Sequence, residues 1–292
     1  MGKLLVFGLG LSAQSLADQL IPRGWQITGT TRSRDKAARL EAAGITPILF
    51  DGSRPVPDSV LAAHDALVLS VPPGEAGDPV LAAHPDLAAH RFAWVGYLST
   101  TGVYGDHGGA WVDEATALTP SGVRGQRRVT AEQQWLDFGR SSGSPVHLFR
   151  LAGIYGPGRN PFVSLKDGSA RRIVKPGQVF SRIHVDDIAQ VLQASLAQPA
   201  AGTAYNVCDD EPAPPQDVIA YAAELLGIAP PPEIPFERAA LSPMARSFYA
   251  DNKRVRNDRI KSALGISLRY PTYRQGLQAL LADQIGAAEH SR

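Results

Sequence analysis

Short continuous apolar runs in this chain are separated by longer stretches in which apolar positions recur every three or four residues. That alternation is the pattern of strand–helix–strand units. Residues 4–7, Leu-Leu-Val-Phe, form an unbroken apolar run, as a strand buried on both faces of a parallel sheet requires. Residues 12–22 then carry Leu16, Leu20 and Ile21 at helical spacing, and Pro22 to Gly24 ends that helix. A strand over 25–30, a helix over 35–43, and strands near 46–50 and 66–71 follow. The alternation repeats with a strand at 93–98, a helix over 129–138 and a strand at 146–151. Joined by right-handed crossovers, these units predict an α/β fold with a doubly wound parallel sheet.

Beyond residue 155 the pattern loosens into Gly, Pro and basic residues, which predicts a second lobe. A helix over 188–196 and a short strand at 205–207 are expected to return to the sheet, and helices over 218–226 and 273–285 to build the lobe. The expected division is a sheet domain over 1–155, with 178–210 packing back on it, and a smaller C-terminal substrate lobe from 156–177 and 211–292. A chain of 292 residues with 44% hydrophobic content can bury a core of that size. Its 29 Lys and Arg against 28 Asp and Glu leave a net charge of +1, without the electrostatic footprint of a nucleic-acid or anionic-membrane binder. A small-molecule partner is therefore expected. Cys208 stands alone and no secretory pattern follows Met1-Gly2-Lys3, so the expected compartment is the reducing cytoplasm. No apolar run approaches the roughly 18–20 residues that cross a bilayer.

The first strand ends in Gly8-Leu9-Gly10-Leu11-Ser12-Ala13, a turn of the G-x-G-x-x-G/A type. Gly8 permits the tight turn, Gly10 lets the backbone approach a pyrophosphate, and Ala13 lets the helix pack closely while its first N–H groups face the phosphates. A strand before and a helix after favour a dinucleotide site over the alternative, a bare glycine turn without ligand. The second strand runs into Thr30-Thr31-Arg32-Ser33-Arg34, with no acidic residue to grip a ribose 2′-hydroxyl. Arg32 and Ser33 offer a guanidinium and a hydroxyl to a 2′-phosphate, which points to NADP, with NAD the alternative. Asp51 is placed beside the adenine, or else in a turn with Gly52 and Ser53. Ser70 and Val71 after the fourth strand and Ser99 in the fifth complete the expected cofactor set.

The fifth strand ends in Ser99-Thr100-Thr101-Gly102-Val103-Tyr104-Gly105, followed by Asp113-Glu114 and Pro120. Arg150-Leu151-Ala152-Gly153-Ile154-Tyr155-Gly156-Pro157-Gly158 and Arg182-Ile183-His184-Val185-Asp186-Asp187-Ile188 come later, with Leu264-Gly265 and Tyr270-Pro271 near the end. Together these resemble the NAD-dependent epimerase/dehydratase family, the extended short-chain dehydrogenases/reductases. The resemblance implies a Rossmann domain with a substrate cleft against the smaller lobe, and a homodimer through helices flanking residue 130. It also implies a Ser or Thr that polarises the substrate oxygen, here Thr100, with a Tyr and a Lys in Y-x-x-x-K. The family spacing brings those two positions to Arg124 and Arg128, where Gly125, Val129 and Ala131-Glu132 keep the register.

That departure changes the chemistry. A guanidinium stays protonated, so Arg124 cannot alternate as general acid and base near neutrality. Arg128 retains the ability to hold a ribose or phosphate. Tyr104 is a candidate phenol for the cleft, and His184 with Asp186 or Asp187 a candidate acid/base pair, although Asp187 is equally placed to cap the helix at Ile188. Arg159, Arg171, Arg172 and Lys175 form a basic segment that either meets an anionic substrate group or faces solvent. His84 and His90 are too far around a helix to share a metal, and no metal site is expected. The expected activity is that of an NAD(P)-dependent oxidoreductase or epimerase-like enzyme on a small or sugar-like carbonyl or hydroxyl compound. The alternative is a non-catalytic NADP(H) sensor that keeps the glycine loop without the Tyr and Lys.

Overall fold

The computed structural model describes residues 2–200 and 202–290. Among them the centre is a seven-stranded parallel sheet. Its strands are β1 (Lys3–Phe7), β2 (Gln26–Thr31), β3 (Thr46–Leu49), β4 (Ala66–Leu69), β5 (Trp94–Thr100), β6 (Val146–Leu151) and β7 (Thr203–Val207). They lie in the order β7-β6-β5-β4-β1-β2-β3. The chain builds outward from β1 to β3, then returns to pair β4 on the other side of β1. Beyond the carboxyl ends of β1 and β4 the connections diverge, and the divergence opens a crevice. Helices used below are α1 (Leu11–Leu20), α2 (Arg34–Ala42), α3 (Val123–Ser142), α4 (Val185–Ala197), α5 (Pro215–Leu225), α6 (Pro243–Phe248), α7 (Asp258–Leu264) and α8 (Tyr273–His290).

The continuous apolar runs are explained by two buried sheet faces. Leu4, Val6, Ala66 and Val68 point to the side covered by Leu16 of α1 and Ile188 and Leu192 of α4. Their neighbours Leu5, Phe7, Leu67 and Leu69 point to the side covered by Ala131, Trp135 and Phe138 of α3. Each such aliphatic or aromatic burial contributes about 1.5–3 kcal/mol. α3 is the element the sequence pattern shortened most, because its first turns are polar and border the cleft instead of the core.

The smaller lobe has its own apolar centre, with Tyr155 and Phe162, Val218 of α5, and Tyr273 and Leu277 of α8. A short parallel pairing of Gly153–Tyr155 with Arg182–His184 marks its junction with the sheet. Ile260 and Leu264 of α7, with Ile266 and Leu268, return to the sheet core beside α1 and α4. Asp187 does not cap α4. His184 does, its Nδ1 accepting from Asp186 N at 3.2 Å. Asp187 instead accepts from Arg269 N (2.6 Å) and Tyr270 N (3.1 Å) and ties that loop to α4. Burial pushes its carboxyl up to about 6, against the pull of those two donors. Among the described residues no helix is long and apolar enough to cross a membrane.

His147 in β6 sets an acid limit on the fold. It is fully buried, and its Nε2 accepts from Ala200 N at 2.8 Å. The proton therefore sits on Nδ1, which meets Ser195 Oγ at 2.6 Å, and the same hydroxyl accepts from Trp94 Nε1. Burial pulls the imidazole down to about 4. An unfolded histidine takes a proton near pH 6.5 that the folded one refuses. The contribution of this neutral ring is thus complete above about pH 6.5 and is lost as pH falls toward 4, by about 3 kcal/mol in all. Denaturant titrations between pH 7 and 4.5 are expected to show that slope, and His147→Gln to flatten it. An unchanged slope in the variant would assign the acid loss to other groups.

Candidate active site in the interlobe cleft

The glycine turn has the local geometry its sequence requires. Gly8 adopts φ +84°, and a Cβ there would lie 2.9 Å from Val71 Cγ2, so a side chain is excluded twice. Thr30 clamps the turn, accepting from Gly8 N through its hydroxyl (2.8 Å) and from Leu9 N through its carbonyl (3.2 Å). Lys36 of α2 donates its ammonium to Leu9 O, a support that no motif spacing predicted. Leu11 opens α1 without a side-chain cap, so the first N–H groups, through Ser12 and Ala13, present the positive end of the helix outward. A Cβ at Gly10 would find nothing nearer than Gly8 O at 4.0 Å. The space over Gly10 is what a pyrophosphate would fill, and the turn fits a dinucleotide.

At the end of β2, buried Thr31 accepts from Ser33 N through Oγ1 at 3.2 Å, and Ser33 caps α2 by accepting from Lys36 N. Arg32 is exposed, with no hydrogen-bond or ion-pair partner among the described residues. Asp51 is exposed and closes a turn, accepting from Ser53 N (2.8 Å) and Ser53 Oγ (2.6 Å). Those bonds hold its carboxyl below the usual range.

A cavity of about 1370 Å³ runs from this end of the sheet into the interlobe cleft. Ser12 and Ser70 line its near end, Thr100 and Gly102 its floor, and Arg124 and Arg128 at the start of α3 one wall. Thr100 Oγ1 accepts from Gly102 N at 3.1 Å, which leaves its O–H free to donate into the cavity. Arg128 donates through Nη1 to Leu98 O (2.7 Å) and Tyr97 OH (3.2 Å), and is thereby fixed to β5. Arg124 is exposed on the cavity wall and unpaired among the described residues.

Tyr104 is brought elsewhere. It is fully buried and absent from the cavity lining, with its hydroxyl donating to Asn206 Oδ1 (2.7 Å) and accepting from Arg150 Nη1 (2.9 Å). Arg150 also forks onto Glu132, Nε to Oε1 at 3.2 Å and Nη2 to Oε2 at 2.9 Å. Ser99 Oγ donates to Glu132 Oε1 at 2.5 Å, so its hydroxyl turns into this network, although the residue borders the cavity. Asn206 N donates to Glu114 Oε1, which gives Glu114 its place. Burial works against the Arg150 charge, but the Glu132 bonds outweigh it and hold the guanidinium above its ordinary value. The network ties α3, β5, β6 and β7 together beneath the cleft.

The basic segment of the smaller lobe does not act as one group. Arg172 pairs with Glu233 at 2.8 Å, Arg171 donates to Gly168 O and Ala170 O, and Lys175 donates to Tyr249 O. Arg159 alone of the four lines the cavity. His184 does not line it, and faces Tyr155 and Tyr270 at the lobe junction. Lys253, unmarked by any motif, does, with Nζ donating to Gly105 O (2.6 Å) and Asp251 Oδ2 (3.4 Å). Burial pulls that ammonium below the usual lysine range, with Asp251 pushing back.

A doubly wound sheet, a glycine turn at its switch point and a cleft against a smaller lobe define a Rossmann-type protein of the extended short-chain dehydrogenase class. The model of the NAD dependent epimerase/dehydratase family matches residues 86–208. Protein YeeZ of Escherichia coli strain K12 is 31% identical over 290 residues, spanning 93% of this chain and 97% of its own. This chain belongs to the NAD dependent epimerase/dehydratase family. It is also similar to a functionally unknown conserved protein from Silicibacter pomeroyi, at 58% identity and a TM-score of 0.90, over 97% of this chain and 99% of that one. A dTDP-glucose 4,6-dehydratase from Bacillus anthracis in complex with NAD has the same fold, at 16% identity and a TM-score of 0.76, over 97% and 96% of the two chains.

Proposed function

We propose that this protein is an NADP(H)-dependent oxidoreductase that acts on a carbonyl or hydroxyl group in the interlobe cleft without a tyrosine acid. The observation that carries this reading is a cavity that meets the glycine turn at Ser12 and holds a free Thr100 hydroxyl and an unpaired guanidinium. Gly8 to Ser12 would hold the pyrophosphate, and Arg32 and Ser33 the 2′-phosphate, with Thr31, Ser70 and Val71 shaping the pocket. The bound cofactor supplies hydride transfer to or from carbon. Thr100 orients the substrate oxygen by donating its hydroxyl hydrogen. Arg124 stands beside that oxygen and stabilises the negative charge that develops there, through a fixed positive group that keeps its own proton. In the reductive direction the substrate oxygen would gain negative charge, which Arg124 would meet without giving up a proton. The proton that completes the alcohol comes from water in the open cleft. Arg128 holds the Leu98 carbonyl and so the position of the β5 end, and Tyr104 positions the same floor from below through Arg150.

Calorimetric titration with NADPH and NADH side by side tests this reading. NADPH is expected to bind more tightly, and Arg32→Ala to weaken it by about tenfold or more while leaving NADH unchanged, the size of a lost charge-assisted phosphate contact. Failure of both nucleotides to bind would make the turn structural and remove the proposal. Tight NADPH binding with no oxidation by any carbonyl compound would instead favour a sensor, since retention of the turn without Tyr and Lys fits that role.

A further inference from the structure

The smaller-lobe wall of the cleft is unlike a surface for a polyhydroxylated ligand. Ile154, Phe180, Leu241, Met244, Phe248 and Tyr249 supply its apolar area. Met244 and Phe248 on α6 remain 54% and 58% exposed, although both border the cavity. Large apolar groups left open at a cavity mouth mark a place where an apolar ligand body completes the packing.

Four of the polar side chains on that wall are already engaged. Ser181 Oγ accepts from Val255 N, and Arg182 Nη1 donates to Phe180 O and Ala213 O. Ser247 Oγ donates to Met244 O, and Lys253 is divided between Gly105 O and Asp251. Arg159 differs, because its guanidinium has no hydrogen-bond or ion-pair partner among the described residues. One free cation set against an apolar wall complements one anionic group on an apolar body. The hydroxyls and base edges of a sugar nucleotide would find Ser181, Arg182, Ser247 and Lys253 already committed to partners within the protein.

We propose that the substrate is an amphipathic oxo acid, an aromatic or alkyl body bearing a single carboxylate. Arg159 takes the carboxylate in a guanidinium fork, Met244 and Phe248 cover the body, and the reacting carbonyl lies toward Thr100 and Arg124. This rests on the oxidoreductase reading for the role of the carbonyl, but the recognition itself does not require the cofactor.

The probe is phenylpyruvate, followed by ligand-detected NMR and calorimetry on the protein with and without NADPH. Pyruvate serves as the control without a ring, phenylacetaldehyde as the control without a carboxylate, and UDP-glucose as the sugar nucleotide. Phenylpyruvate is expected to bind at least about tenfold more tightly than either truncated control. Arg159→Ala and Phe248→Ala, both at exposed positions, are each expected to weaken it by about tenfold while leaving NADPH affinity unchanged. Tighter binding of UDP-glucose than of phenylpyruvate, or unchanged phenylpyruvate affinity in Arg159→Ala, would overturn the proposal. If NADPH itself fails to bind, the oxidoreductase reading falls, and the phenylpyruvate measurement without cofactor still decides the recognition.

Discussion

Replacing Glu132 by glutamine will destabilise the fold by about 3–5 kcal/mol, because it leaves the Arg150 guanidinium buried without its counter-charge. Both side chains are nearly inaccessible, at 4% and 7% exposure, so water cannot take over the lost partner. The amide keeps the shape of the carboxylate but, whichever oxygen its NH2 replaces, turns a donor toward an Arg150 N–H, which cannot accept. In a chain of this size the loss corresponds to a drop in Tm of about 5–8 °C. Denaturant unfolding of the single variant, and of the double variant Glu132→Leu with Arg150→Met, measures it. The double variant removes both charges and is expected to be the more stable of the two, since the cost lies in the orphaned charge rather than in the absent bond. Equal stability of Glu132→Gln and the native chain would show that Tyr104 and Asn206 hold Arg150 without help.

Gly10→Val should give the largest functional effect without a comparable structural one. Gly10 lies in extended backbone at φ −92°, which valine adopts freely, and its Cβ would clear every neighbouring atom. Its isopropyl group would fill the space through which a pyrophosphate reaches the first turn of α1. NADPH affinity is expected to fall by about a hundredfold or more, with Tm lowered only by the modest preference of a helix N-cap for glycine over valine. Gly8→Val is a poor substitute, because at φ +84° and against Val71 it would disturb the turn itself. Retained NADPH binding in folded Gly10→Val would place the dinucleotide elsewhere on the sheet.

The sequence by itself determined the architecture and the glycine turn. Both are written in local periodicity and in residue types that only certain backbones admit: a double-faced apolar run such as Leu4 to Phe7, or a glycine at φ +84°. It also placed Arg124 and Arg128 one turn apart on a helix, and both line the cavity. What only the tertiary structure decided is which polar groups are free. Ser99 and Tyr104 look like cleft residues along the chain, yet their hydroxyls are claimed by Glu132, Arg150 and Asn206, which arrive from α3, β6 and β7. Four basic residues near position 165 are equivalent in sequence, and three of them are spent on Glu233 and on carbonyl oxygens, which leaves Arg159 for the cleft. The reason is physical: local pattern fixes which face of an element is buried, whereas a polar side chain's role depends on its hydrogen-bond partners, and those come from strands and loops distant in sequence.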